Sequence, residues 1–356
     1  MSDATAEHRL PAEAAPAPPA ALSRFRTAVE QEMRDTLRGG EGPLYAMQRY
    51  HLGWEDAEGR PIAGAGGKIF RPALCLLCCQ ALGGDPDRAL PGAAALELLH
   101  NFSLIHDDIE DRSSTRHGRR TLWDLWGVEL AVNAGDAMFT AARLALHRLS
   151  ARDYAPQTML NAFLIFDRAS QRLCEGQDTD LRFEQRTAVS MDEYLAMIAG
   201  KTGALIGTSA AMGALLAEQP GRTVGLFDRF GRLLGRAFQI QDDALGVWGV
   251  EARTGKPSGD DIRARKKAYP ITRALEVAQA EDRALLGELY ARPELDDRAV
   301  AEVLAIFERN GIREDAARAA RQTAGEALAL LHRVELREPA RSELFQLATF
   351  VAEREA

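Results

Sequence analysis

One large all-α bundle is the fold class this sequence predicts, and three observations predict it. Apolar residues recur at helical spacing almost everywhere beyond residue 20, as in Leu74, Leu77 and Cys78, in Leu96, Leu99 and Phe102, and in Leu195, Ile198 and Leu205. Alternating Val/Ile/Thr runs closed by Asn-Gly or Asp-Gly turns are missing, so no sheet is expected. Glycine and proline break the helices without a shift in composition or a fixed-period repeat, which leaves ten or more helices in one domain over residues 21–356.

The elements follow from those breaks. Residues 1–20 are Ala/Pro-rich and aperiodic, and read as a disordered tail. Loop signals fall at 39–42, 59–67, Gly83-Gly84-Asp85-Pro86, Gly118, Gly249 and 254–259. Pro72 and Pro91 each suit the first turn of a helix, where proline's missing N–H has no partner to lose. The longest uncharged apolar stretch, 202–217, is shorter than a membrane-spanning helix needs. The start of the chain lacks a basic-then-apolar signal pattern, so a soluble cytoplasmic protein is expected.

Composition removes several functions. The chain has 356 residues, 46% of them apolar, enough for a sizeable core. Its 52 acidic against 44 basic side chains give a net charge of −8, the wrong sign for a general nucleic-acid or membrane-surface binder. Anionic small substrates stay open wherever basic groups gather. Four cysteines (Cys75, Cys78, Cys79, Cys174) do not make a disulfide scaffold, and the first three, on an apolar helix without a second Cys/His pair, read as buried packing rather than zinc ligands.

Two acidic clusters carry the chemistry. The run LELLHNFSLIHDDIEDR is apolar and helical from Leu96, then ends in Asp107, Asp108, Glu110 and Asp111; Asp107 and Asp111, four apart, share a face. Carboxylates favour the positive N-terminal end of a helix, yet these crowd the C-terminal end. They need positive charge from outside, and Mg²⁺ bridging to phosphate would supply it; for a single such cluster a solvated acidic helix end is the commoner reading. About 130 residues later FQIQDDALGVWG repeats the design with Asp242 and Asp243, and Gln239 stands about one turn earlier. Helices facing each other in this way would wall a cleft for several Mg²⁺ ions and a diphosphate.

Cations accompany both clusters. Lys68 and Arg71 lie in GGKIFRP, just ahead of a helix start that favours phosphate. Arg116, His117, Arg119 and Arg120 follow the first cluster, Lys201 sits mid-helix among small residues in AGKTGAL, and Lys256 and Lys266 lie beyond the second cluster. Singly each reads as an ordinary surface charge; alternating with carboxylates around two helices they read as a metal-plus-diphosphate site.

In this combination and order the chain resembles the trans-isoprenyl diphosphate synthases, the short-chain polyprenyl synthetase family, over about residues 25–350. The resemblance rests on GGKIFRP, LLHNFSLIHDDIED, STRHGRRT, GKTGALI, FQIQDDALG and GKPSGDDIRARKKAYP. It implies an all-α isoprenoid-synthase bundle around a central cavity, acting as a homodimer. It further implies that Asp107 and Asp111, with Asp108 beside them, bind two Mg²⁺ ions and Asp242 a third, all bridging the allylic diphosphate. Arg116, Lys201 and Lys266 would hold that diphosphate, with Lys256 a weaker candidate; Lys68, Arg71 and His100 would bind isopentenyl diphosphate. Thr202, Gln239, Gln177 and Asp180 would support these groups.

The reaction so implied joins isopentenyl diphosphate to an allylic diphosphate (dimethylallyl, geranyl or farnesyl). Two departures stand out: Gly246 replaces the last carboxylate of a DDxxD pattern, and His117 replaces the second of two arginines, which makes that phosphate contact pH-sensitive. Phe102 lies about 7.5 Å below Asp107 along its helix. With small Ser103 beside it, that ring resembles the floor of synthases that stop at geranylgeranyl diphosphate; ordinary core packing is the competing reading, with farnesyl or a twenty-five-carbon product open. A terpene cyclase of the same fold, or a silent subunit of a heteromeric synthase, are the other functions to separate by assay.

Overall fold

Amphipathic periodicity becomes helix throughout the computed structural model, which describes residues 19–62, 67, 69–249 and 259–353. Ala20–Arg24 (α1), Arg26–Thr36 (α2) and Pro43–His51 (α3) lead into Phe70–Ala81 (α4), Pro86–Glu110 (α5), Leu122–Trp126 (α6), Val128–His147 (α7) and Pro156–Glu184 (α8). Met191–Ile198 (α9), Ala204–Leu216 (α10) and Gly221–Trp248 (α11) follow. The C-terminal part holds Asp260–Arg263 (α12), Tyr269–Val277 (α13), Ala280–Tyr290 (α14), Asp297–Arg309 (α15), Ile312–Leu331 (α16) and Ala340–Glu353 (α17). The expected tail lies almost wholly outside the described residues, as do Lys68 and Lys256.

Helix α10 explains the centre. Every one of its residues is buried, and its Gly/Ala/Ser composition lets it pack against α4, α5, α8 and α11 together. The helical stretch Met191–Leu216 is apolar and long enough to cross a membrane, but 72% of its most apolar window is buried inside the bundle, as in a core helix. Cys75, Cys78 and Cys79 are free thiols in the same core, and burial pushes all three up. Helix α5 lies along α7, and α11 along α10 and α16. The two aspartate helices are thus held by the central packing.

Three local features differ from the sequence reading. Helix α5 starts at Pro86, capped by the Asp85 side chain accepting from Asp87 N–H, so Pro91 lies inside it rather than in its first turn. A carboxylate cap followed by proline at the first helical position is the stronger start signal. A two-stranded ribbon, Thr115–Arg116 (β1) paired antiparallel with Arg119–Arg120 (β2), interrupts the helices. It turns on His117 (φ 51°) and Gly118 (φ 74°), the two left-handed positions of a tight hairpin, with histidine where asparagine is the usual signal. Lys201, expected mid-helix, sits in a single π-helical turn, Ala199–Gly203, between α9 and α10; such turns concentrate at functional sites.

Candidate active site

Each aspartate helix divides its labour. On α5, Asp108 is buried and accepts from the Arg116 guanidinium through Nε at 2.9 Å and Nη2 at 2.8 Å. Asp107 is half-buried and Asp111 exposed at the helix end. On α11, Asp243 is buried: Tyr194 O–H donates to Oδ2 at 2.6 Å, Tyr269 N–H to the same oxygen at 2.7 Å, and Gln239 Nε2 to Oδ1 at 2.8 Å. Asp242 beside it is exposed. Among the described residues the side chains of Asp107, Asp111 and Asp242 make no hydrogen bond or ion pair. Asp108, grouped with the metal ligands on sequence grounds, engages Arg116 through Oδ1 in this structure, as burial demands a partner for it.

Burial pushes Asp107 up to about 6, with Lys201 opposing and Asp111 adding to the rise. Burial also pushes Asp243 up to about 7 against its three donors. Two lysines lie among these carboxylates. Lys201 Nζ lies 2.5 Å from Asp180 Oδ2 of α8; burial would lower its ammonium, but Asp180, Asp107 and Asp111 outweigh that and raise it. Lys266 lies in the field of Asp261, Asp111, Asp180 and Asp243, which likewise outweighs its burial. Lys266 therefore feels carboxylates of both α5 and α11.

The π turn is tied into this arrangement. A Cβ on Gly176 of α8 would lie 2.2 Å from Lys201 N, so only glycine lets α8 approach so closely. Thr202 Oγ1 donates to Gln239 Oε1 at 2.6 Å, extending the Gln239–Asp243–Tyr194 chain to the residue next to Lys201. Gln177 donates to Glu110 at 2.7 Å. Sequence reasoning missed Tyr194 and Tyr269, which lie far from Asp243 along the chain, and no local pattern pairs them with it; Glu110 was read in the first acidic cluster but not as the partner of Gln177.

Further basic groups lie near both helices. Burial lowers Arg71, with Glu97 and Asp242 opposing; its Nε is buried without a partner among the described residues. Burial, then Arg71 and Arg116, holds His100 well below the usual imidazole range, hence neutral. His51, bonded to Asn101, falls to about 3 through burial and the nearby Arg116, Arg119 and His117. His51 and Asn101 were not singled out from the sequence.

Beneath Asp107 a cavity of about 590 Å³ opens between α5, α7 and α8, with Phe102, Phe139, Ser170 and Cys174 on its wall. Phe102 packs on His106 (ring centroids 4.8 Å) and Phe139 (5.2 Å), and Phe139 stacks on buried Phe166 at 6.4 Å. Ser103 is buried and donates back to His100 C=O at 2.8 Å.

Among the described residues no three His, Cys, Asp or Glu side chains converge on one metal position. Three unpartnered carboxylates suit a hard cation that completes its shell with water and substrate oxygens, as Mg²⁺ does, and fit poorly with a caged structural metal. The donor set therefore fits the expected ion.

Comparison with known proteins agrees with this geometry. Residues 57–307 match the polyprenyl synthetase family model. The chain is 38% identical to a (2E,6E)-farnesyl diphosphate synthase of Mycobacterium bovis over 93% of its length and 90% of that enzyme's. It is 40% identical to a geranylgeranyl diphosphate synthase of Mycobacterium tuberculosis over 77% of each. A polyprenyl synthetase from Streptomyces coelicolor A3(2) superposes with a TM-score of 0.86 at 36% identity, covering 93% of this chain and 98% of that one. Two acidic helix ends, nearby basic groups and an apolar cavity on an all-α bundle thus sit in a chain that belongs to the polyprenyl synthetase family, the trans-prenyltransferases that make short-chain prenyl diphosphates.

Proposed function

We propose that the chain adds isopentenyl diphosphate to an allylic diphosphate and stops at geranylgeranyl diphosphate. The observation that carries this is the set of free and partnered carboxylates on α5 and α11 around Lys266, with Lys201 beside Asp107 and Asp111. Asp107, Asp111 and Asp242 would hold the magnesium, for which three ions is the family expectation. Bound there, Mg²⁺ supplies positive charge to the diphosphate that leaves the allylic carbon.

The residues of the chain do the rest. Lys201, Lys266 and the Arg116 nitrogen left over from Asp108 hold the allylic diphosphate and stabilise its charge as the C–O bond breaks. Arg71 and neutral His100, with Lys68, hold isopentenyl diphosphate beside it; His117 and Lys256 are further contacts. The double bond of isopentenyl diphosphate attacks the allylic cation, and the proton lost passes to the departing diphosphate. Thr202 and Gln239 fix the π turn so that Lys201 keeps its aim. Phe102, Phe139 and Phe166 keep water from the cation and line the path of the growing tail.

Two further parts of the reading rest on the surface and the thiols. Val128, Leu130, Val132 and Leu144 of α7 and Leu160 and Leu164 of α8 are exposed, and a second copy of this chain is the partner proposed for them. All four cysteines are free, which suits a reducing cytoplasm.

The test is direct. Purified protein is incubated with Mg²⁺, radiolabelled isopentenyl diphosphate and dimethylallyl, geranyl or farnesyl diphosphate in turn. Label ending in the twenty-carbon diphosphate is expected. Label ending in the fifteen-carbon product overturns the product assignment alone. Hydrocarbon from the allylic substrate by itself, or no reaction, overturns elongation.

A further inference from the structure

A second cavity, of about 180 Å³, lies behind the Asp243 anchor, between α9, α11, α13 and α16. Its apolar wall is Met191 and Leu195 of α9 with Ile240 of α11, packed in one cluster with Tyr194 and Tyr269. Its polar lining is Arg236 of α11, Arg273 of α13 and buried Thr323 of α16, with exposed Gln322 and Glu326 beside them.

The charges on this lining are unequally satisfied. Arg273 is occupied: Nε donates to Asp315 Oδ2 at 2.9 Å and Nη1 to Glu276 Oε2 at 2.6 Å. Glu326 accepts from Gln322 Nε2 at 3.1 Å. Arg236 has neither kind of partner. Its Nε is buried without an acceptor, and its side chain makes no hydrogen bond or ion pair among the described residues. A guanidinium N–H shut away from water is costly until an acceptor reaches it. An acceptor oxygen is therefore what the cavity lacks.

Charge and size narrow the occupant. A monoanion balances Arg236, whereas a phosphate dianion would also meet the Glu326 carboxylate. The space is about a third of that beneath Asp107, room for a short branched hydrocarbon and not for a prenyl tail.

We propose that this cavity is a second ligand site, which takes a short branched-chain carboxylate. The carboxylate accepts from Nε and one Nη of Arg236, the paired geometry a guanidinium favours, and the hydrocarbon lies on Met191, Leu195 and Ile240. The site is tied to the second acidic helix. Tyr269 lines the cavity and its N–H holds Asp243; Leu195 follows Tyr194, whose hydroxyl holds the same oxygen. An occupant braces two of the three donors to Asp243 from behind, and with them the segment of α11 that presents Asp242.

Ligand-observed NMR titration with 3-methylbutanoate in EDTA tests this, with inorganic phosphate as a competing arm. Saturable binding with a Kd of about 1 mM is expected, within the per-atom ceiling for a ligand this small, together with a rise in melting temperature. Inorganic phosphate should not displace the carboxylate. Arg236→Gln should weaken binding about 10-fold or more, through loss of a charge-assisted pair. Ala319→Leu, which fills the cavity from α16, should abolish it. Circular dichroism identifies the variants that remain folded, and either one keeps the test alive without the other. No saturable binding to the unaltered protein, or wild-type affinity in either folded variant, overturns the proposal. Displacement of 3-methylbutanoate by Mg²⁺ with inorganic diphosphate also overturns it, since the carboxylate would then sit in the diphosphate site. Displacement by inorganic phosphate alone overturns the carboxylate class.

Discussion

The acidic ends of α5 and α11 are built alike but anchored differently. Each carries adjacent aspartates of which one is buried and partnered and the other has no side-chain partner among the described residues. On α5 the spent carboxylate is held by a cation, Arg116 of the hairpin, through a hydrogen bond and an ion-pair contact to one oxygen. On α11 it is held by neutral donors from α9, α13 and α11 itself, and burial leaves it near neutrality. The first anchor ties a short ribbon that also carries His117; the second ties three helices together. A paired aspartate motif thus joins two jobs, catalysis in the free member and assembly in the spent one, and substitutions should separate them.

The largest separation is expected at the free members. Asp107→Ala or Asp242→Ala should lower steady-state turnover by at least about 10²-fold, the scale of losing an electrostatic contact to a leaving group. The melting temperature measured in EDTA should not fall, because among the described residues neither side chain has a hydrogen-bond or ion-pair partner to lose. Asp243→Ala should do the reverse first: it strands the Tyr194 hydroxyl, the Tyr269 amide and the Gln239 amide. Each buried orphan costs about 1–3 kcal/mol, so denaturant unfolding should show a loss of about 3 kcal/mol or more, whereas Asp243→Asn should lose less.

Below the first wall, Phe102→Ala should lengthen the product by at least one isoprene unit, read by chromatography of the dephosphorylated alcohols. Phe139→Ala should give a smaller share of longer product, since Phe102 still narrows the path; unchanged product length in both would remove the aromatic floor from the account.

The smallest effect is expected on α9, which carries Tyr194. Glu193 closes a capping box with Ser190 and pairs with Arg186. The Arg186 bond, then those to Ser190, hold its carboxyl down to about 2, against an ordinary 4.5. A depressed carboxyl stabilises the fold above the ordinary value and loses that contribution as pH falls toward 2. Melting curves from pH 6 to pH 2.5 should therefore show a slightly shallower acid slope for Glu193→Gln, and an unchanged slope would deny the cap any electrostatic share.

Much of this was legible before any coordinates. Helical periodicity gave α4, α5, α9 and α10, and the two Asp-rich runs gave the walls, because those signals are local. What escaped was long-range or short. Tyr194 reaches Asp243 across 49 positions of chain, and no spacing rule pairs them. The Arg116–Arg119 ribbon has strands of two residues, too brief for alternation to register. Asp108 and Asp243 looked like their neighbours in the sequence; only burial sorts the spent carboxylates from the free ones.

Crystals grown with Mn²⁺ in place of Mg²⁺ and a non-ionising thio analogue of an allylic diphosphate test the central claim most directly, since manganese is located by its anomalous signal. The account predicts manganese peaks between the diphosphate and Asp107/Asp111 and another between the diphosphate and Asp242, with Asp108 still on Arg116 and Asp243 still on the two tyrosines. Manganese held by Asp108 or Asp243, or a diphosphate bound away from the space between α5 and α11, would contradict it.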